Sequence, residues 1–426
     1  MNDFQRRALG LFPAGSNGEF NLPAELVPVL ERGRGCRVWD TEGHEFLDFT
    51  MAWGAALVGH AHPKVIEAAT KQAALGANFA AVNRRAVDLA ERIVALSPCI
   101  DRIRFVASGT EATLLCLRIA VAATGRPKIL KFEGAYHGQH PVGVTSMLNG
   151  EPVTLPQSDP SGAGAAWVQN DVLVAPFNDL AATEAILAEH GREIAAVIVE
   201  PLHRCIVPKL GFLQGVRELT RRAGIVLIFD EVVTGFRLAA GGAQEYYGVS
   251  PDLVAYGKAL GGGFPIGAYG GSIALMEVVA ESRLPGPRYV WSASTSGGNP
   301  VSCAAALATL DLLAEDGVYP RLHAAGDRLR RLMQEALTGA GESAQVLGDG
   351  PLAQVAFSSQ PVTDQRSWLA SDRRRGRALM LELFRRRVFL NPMGTKLYLS
   401  LTHEDADIDE FATRFSAALQ ASRSAV

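Results

Sequence analysis

Four short runs, RIRFVAS (102–108), PKILKF (127–132), AAVIVEP (195–201) and GIVLIFDEV (224–232), are rich in Ile and Val and are separated by stretches able to hold helices or crossovers. Strands that are apolar on both faces must be covered on both faces, and parallel neighbours need long connections between them. The alternation therefore predicts an α/β fold with a mostly parallel central sheet over residues 55–310. In such sheets ligands collect beyond the carboxyl ends of the strands. Residues that follow these runs are the first place to look for chemistry.

The chain has 426 residues, 48% of them hydrophobic. Single cores stop growing at about 250–300 residues, so a second domain is expected. CRVWDTEGHEFLDF (36–49) reads as two strands around a turn at Glu42-Gly43, and a helical pattern runs from about 63 to just before Pro98. From 311 onward a helix over 318–337, strands in AQVAFSS, RRVFLNP and TKLYLSL, and a last helix over 405–420 predict a smaller α+β domain, 311–426. The N-terminal segment 1–54 is able to lend it strands.

A net charge of −3 with no long basic block argues against nucleic acid or an anionic membrane as partner. Five scattered cysteines without a CxxC pair suit a reducing compartment and offer no zinc site, so no metal is expected. The N-terminus lacks the apolar run of a signal peptide, and no stretch of about 18 apolar residues occurs. Cytoplasm is the expected location.

Three groups stand out. Ser108, Gly109 and Thr110 lie between a strand and a helix, where free N–H groups and the helix dipole attract an anion such as phosphate. A plain N-cap with Glu111 in the first turn fits the same residues. Asp230 and Glu231 end an apolar strand, and neighbouring strand residues face opposite ways, so only one of them shares the orientation of the inward side chains. Lys258, in VAYGKALGGG, is an amine set in an apolar, glycine-rich run; desolvation would favour its neutral, nucleophilic form. Glycines at that density point to backbone pressed against a ligand or another backbone. An anion cup, a buried carboxylate and a desolvated lysine are the three contacts pyridoxal phosphate requires.

The chain resembles the class III aminotransferases that use pyridoxal phosphate, within the branch containing glutamate-1-semialdehyde 2,1-aminomutase. GHAHPKVIEA (59–68), RFVASGTEAT (104–113), KFEGAYHG (131–138), VIVEP (197–201), LIFDEVVTGFR (227–237), PDLVAYGKALGGGFPIGAYGG (251–271) and TSGGNP (295–300) carry the resemblance. It implies the fold type I transferase architecture. It also implies that Lys258 forms the Schiff base with the cofactor and moves the proton, while Asp230 partners the pyridine nitrogen. Ser108, Gly109 and Thr110 then match the phosphate loop, Tyr136 and Val232 the two faces of the ring, His137 the residue following the stacked aromatic, and Glu200 an acid near the cofactor's hydroxyl. Thr295 matches a residue that reaches the neighbouring subunit's phosphate, which implies a homodimer with active sites completed across the interface. A homologue that binds the cofactor without turning it over is disfavoured by the joint presence of Lys258, Asp230 and the loop.

The resemblance to the aminomutase extends to Trp53 and departs where substrate is held. Its PGGVNSPVR pattern reads PAGSNGEFN here, placing Asn21 at a substrate-binding arginine, and Thr395 aligns with an acid. A guanidinium fork grips a carboxylate in a way an amide cannot. Phe20 and Trp53, with Met51 near the expected entrance, suit an apolar or aromatic substrate, although Phe20 also suits a core position. Arg237, in TGFR, is a candidate carboxylate clamp, or else part of a surface ion pair. The expected reaction is transfer between an amino donor and a 2-oxo acid acceptor, with intramolecular transfer as the alternative.

Overall fold

The computed structural model describes residues 1–18, 20, 22–148, 153–160, 162, 166–283, 286 and 288–425. The chain forms two compact units, one of residues 1–63, 316–362 and 366–426 and the other of residues 64–315 and 363–365.

The first unit begins with an antiparallel meander of β1 (Leu30–Arg34), β2 (Arg37–Asp40) and β3 (Glu45–Asp48), with the expected turn between β2 and β3. After it comes a turn in which Met51, Ala52 and Trp53 all have positive φ, 43°, 52° and 57°. Asp48 pins it: its Oδ1 accepts the amides of Thr50 (2.6 Å) and Met51 (3.1 Å).

The second unit holds the large sheet. Its strands are β4 (Arg102–Val106), β5 (Lys128–Phe132), β6 (Val172–Ala175), β7 (Ile194–Val199), β8 (Val226–Asp230), β9 (Leu253–Tyr256) and β10 (Gly267–Gly271). Across the sheet the order is β4-β10-β9-β8-β7-β5-β6. All neighbours are parallel except β10, which runs antiparallel to both β4 and β9. The helix Gly109–Thr124 covers one face, burying Ala112, Leu115, Cys116 and Ile119 with Ala196, Ile198 and Ala255 of the strands. This is the mostly parallel sheet expected from the Ile- and Val-rich runs, and the architecture is that of a fold type I transferase.

β9 and β10 were not among the expected strands. Their segment reads as glycine punctuation, but the glycines serve packing. A Cβ on Gly267 would stand 2.2 Å from the carbonyl oxygen of Ser108, and one on Gly262 would stand 2.2 Å from Thr309 Oγ1. The helical pattern after residue 63 also divides, into helices Pro63–Ala73 and Arg84–Leu96. Gly76 sits between them at φ +123°, a conformation only glycine takes easily, with the Phe79 ring filling the space where a Cβ would project.

The first unit is completed by helices Val318–Gly339, Arg373–Arg385 and Asp405–Ala421 and by four more short strands. β11 (Gln345–Leu347), β12 (Leu352–Ala356) and β14 (Leu397–Tyr398) form one antiparallel sheet, while β13 (Val388–Phe389) adds in parallel to β3. Among the described residues no helix is long and apolar enough to cross a membrane.

Candidate active site

The strand ends of the large sheet gather the expected groups. Asp230, the last residue of β8, places Oδ2 2.8 Å from Nδ1 of His137, with both side chains buried. Its Oδ1 accepts the amide of Val232 at 3.1 Å. His137 Nε2 is buried and has no hydrogen-bond partner among the described residues. Glu231 turns the opposite way, as strand alternation requires. Its carboxyl group is fully buried and accepts from the amides of Ala243 (2.6 Å) and Gln244 (3.2 Å), from Thr234 Oγ1 and from Gln244 Nε2. Burial pushes it up to about 7, these donors offsetting only part of the desolvation.

Glu200 follows β7 and accepts the amide of Tyr136 at 2.9 Å and that of Arg204 at 3.3 Å. Burial acts to raise its pKa, but the charge of Arg204 and the Tyr136 amide outweigh it and hold the carboxylate down at about 2. Glu200 is therefore anionic across the physiological range. Tyr136 is half-buried, with the Arg204 guanidinium 6.0 Å from its ring centroid. Its phenol is raised, by burial above all, with a Thr110 hydrogen bond opposing.

Ser108 proves to be the N-cap of the helix Gly109–Thr124, its Oγ accepting the Glu111 amide at 3.2 Å. Glu111 answers by accepting from the Ala107 amide (2.9 Å) and from Ser294 Oγ (3.0 Å). The cap and the anion cup are compatible, because capping uses the side chains and leaves the amides of Gly109 and Thr110 at the positive end of the helix. A Cβ on Gly109 would lie 2.8 Å from both methyls of Val232, and one on Gly138 would lie 2.8 Å from Thr110 Cα. Only glycine lets these three segments close on one another.

Lys258 follows β9 at φ +43° and opens a short turn, Lys258–Gly261. It is half-buried, whereas Ala259 and Leu260 beside it are wholly covered. The apolar run thus seats the backbone of the turn. Gly257 brings its backbone against Gly109 and Val232, with its would-be Cβ 3.4 Å from each, and so joins the lysine's turn to the helix start.

The remaining expected residues have partners of their own. Thr295 is exposed, and its carbonyl accepts from Asn78 Nδ2 at 2.8 Å. Arg237 is fully buried, which removes the surface ion pair; its Nε donates to the Val233 carbonyl at 2.8 Å. In the first unit, Phe20 stacks on Phe389 with ring centroids 6.2 Å apart and meets Trp53 edge-on at 5.9 Å. Met51 is a fully covered core residue and not an entrance residue. Thr395 is buried, its hydroxyl donating to the Val355 carbonyl (2.8 Å) and accepting the Val355 amide (3.2 Å). Asn21 lies outside the described residues.

Sequence reasoning missed Arg204, His203 and Lys131. Their only signal is position: LHRC directly follows the VIVEP strand, and KF directly precedes EGAYHG. His203 is buried against Phe177, and burial above all pushes its pKa down to about 4, so it is neutral.

An aromatic face, a small apolar face, a strand-end carboxylate, a half-buried lysine and a helix N-terminus fit a planar, phosphorylated, aldehyde-bearing ring. The comparisons agree with this chemistry. Residues 22–419 match the family described as Aminotransferase class-III. The chain is 43% identical over 407 residues to a glutamate-1-semialdehyde 2,1-aminomutase of Thermomicrobium roseum, covering 93% of each chain. Its fold is similar to that of an ω-transaminase from Sphaerobacter thermophilus, with TM-score 0.92, 37% identity and coverage of 99% of this chain and 97% of that one. It is also similar to a transaminase solved with PLP bound, with TM-score 0.88, 29% identity and coverage of 98% and 96%. The chain therefore belongs to the class III family of pyridoxal-phosphate-dependent aminotransferases.

Proposed function

We propose that the chain is an aminotransferase that moves an amino group from an amino acid or amine to a 2-oxo acid in ping-pong order. The cofactor, when bound, supplies an aldehyde that takes up amines and a ring that accepts the electron pair released at the substrate carbon. Lys258 would hold the cofactor through its side-chain amine and would move the proton at the reacting carbon of the substrate. Asp230, oriented by His137, would partner the ring nitrogen. Tyr136 and Val232 would hold the two faces of the ring. The amides at Gly109 and Thr110, with the Thr110 hydroxyl, would hold the phosphate. Glu200, kept anionic, would serve the side of the ring hydroxyl.

The observation that carries transfer between molecules over transfer within one is the chemistry at Thr395. Where the aminomutase pattern has an acid, this chain has a neutral hydroxyl already engaged by Val355 in both directions. Asn21 in place of an arginine points the same way. The Phe20–Trp53–Phe389 cluster favours a substrate with an apolar or aromatic part. The second reading, an aminomutase, is favoured by the 43% identity to a protein of that name.

A donor screen against pyruvate and 2-oxoglutarate, run beside glutamate-1-semialdehyde alone, separates the two. Parallel double-reciprocal lines with a donor and acceptor pair support the aminotransferase. Rapid, acceptor-independent conversion of the semialdehyde to 5-aminolevulinate would replace it with the mutase. The working unit in this proposal is a cytoplasmic homodimer, with exposed Thr295 reaching the partner's phosphate site; a fully active monomer in equilibrium sedimentation would count against it.

A further inference from the structure

Lys131, on β5, has none of its surface exposed, among the apolar side chains of Ile129, Leu130 and Phe132. Its Nζ is directed at main-chain carbonyls: it donates to Thr145 (2.6 Å), Gly143 (2.9 Å) and Ala135 (3.0 Å), with the Val142 oxygen at 3.3 Å. Burying an ammonium is costly, and desolvation pushes its pKa down to about 7. A strand in need only of packing would carry an aliphatic residue here.

All four carbonyls belong to one excursion that leaves β5 and carries Tyr136 and His137. It includes one short turn, Pro141–Val144. Two of its residues contact the site directly: the Tyr136 amide bonds Glu200, and His137 meets Asp230. From the helix Gly109–Thr124, Thr113 Oγ1 bonds the His137 carbonyl at 2.5 Å. The loop is thus clipped from two sides, by Lys131 from the sheet and Thr113 from the helix.

We propose that Lys131 is a positioning residue: by tying Ala135, Gly143 and Thr145 to β5, it sets where His137 and Tyr136 stand against Asp230 and Glu200, and thereby how tightly the pocket holds the cofactor. This rests on the pocket's being the cofactor site. The side chain suits the task because an ammonium offers three protons at the end of a four-carbon reach, whereas an amide offers two and a thioether none.

The test is titration of the apo-protein with pyridoxal phosphate, followed by fluorescence, for wild type, Lys131→Met, Lys131→Gln, His137→Phe and the double variant Lys131→Met/His137→Phe. Lys131→Met is expected to weaken binding about tenfold or more, the loss of bonds to a charged donor, with Lys131→Gln intermediate. In the His137→Phe background the same change is expected to cost clearly less than in wild type, because the part of the effect that runs through the His137–Asp230 contact is already lost and only the part through Tyr136 and Glu200 remains. A purely structural lysine would add its full effect in both backgrounds. Hydrogen exchange at amides 135–145 is expected to quicken in Lys131→Met without cofactor. Unchanged affinity in Lys131→Met, or full additivity with His137→Phe, overturns the inference. If Lys131→Met does not fold, Lys131→Gln takes its place in the same comparison, and unchanged affinity or full additivity there overturns the inference equally. Wild type that takes up no cofactor overturns the site reading as well; wild type that binds no better than Lys131→Met overturns this inference alone.

Discussion

Asp230 Oδ2 and His137 Nδ1 lie 2.8 Å apart with both side chains shut away from water, although 93 residues separate them in sequence. The carboxylate is thereby fixed in direction, with Oδ1 taken by the Val232 amide. Replacing Asp230 by Asn retains shape and removes the charge. We expect Asp230→Asn to fold and to lose about 10²-fold or more in turnover, the scale of a removed charge-stabilising group. His137→Phe should lose less. Stopped-flow half-reactions with any accepted donor measure both, and a loss under tenfold in Asp230→Asn would remove it from the ring-partner role.

Lys258, half-buried just past β9, is the amine proposed to hold the cofactor. Borohydride treatment of the cofactor-loaded protein should fix the pyridoxyl label there, as read by peptide mass mapping. Lys258→Ala should keep cofactor without a covalent bond and lose most turnover. A label on another lysine would refute the assignment.

Glu231 supplies a pH-dependent term in stability. Its folded pKa, about 7, stands above the ordinary 4.5, so between those values the folded state holds a proton that the unfolded state has lost. Stability from this group is complete below pH 4.5, falls as pH rises to about 7 and is flat beyond, a loss of about 3 kcal/mol in all. Melting temperatures across pH 4.5–8 should show that decline in wild type and a shallower slope in Glu231→Gln. An identical slope in the two proteins would exclude Glu231 as its source.

Gly267 tests how closely β10 presses on the phosphate-side helix. Gly267→Ala puts a methyl 2.2 Å from the Ser108 carbonyl oxygen, and backbone cannot step aside as a side chain can. A destabilisation of about 1–3 kcal/mol is expected from overpacking, together with weaker cofactor retention on dialysis. Retention equal to wild type would mean the helix start tolerates displacement.

The four Ile- and Val-rich strands could be read from the sequence because burial on both faces leaves a mark in composition, and Asp230 could be found because it ends such a strand, whereas Glu200 came only from the family resemblance. β9 and β10 were harder. LVAY is four residues long, and GAYGG carries the glycines that read as loop, yet those glycines are what allow a strand to lie against the Ser108 carbonyl. Lys131 was invisible for a different reason: a lysine on a strand reads as solvent-facing, and the carbonyls that take its protons come from a loop whose path no periodicity encodes. For Arg237 only the alternative of a surface ion pair fails, since the side chain is fully buried.

The turn at Met51, Ala52 and Trp53 bears on how this protein could be altered. Left-handed backbone costs a residue with a Cβ about 1–2 kcal/mol, and three stand in a row. Widening a pocket by truncating an aromatic usually trades stability for room. At Trp53 a change to glycine would remove the ring and relieve the backbone together, so conformational ease would offset part of the lost packing. Under the substrate role proposed for Phe20 and Trp53, that makes position 53 a more forgiving starting point for altered donor size than Phe20, which is not among the described residues with positive φ.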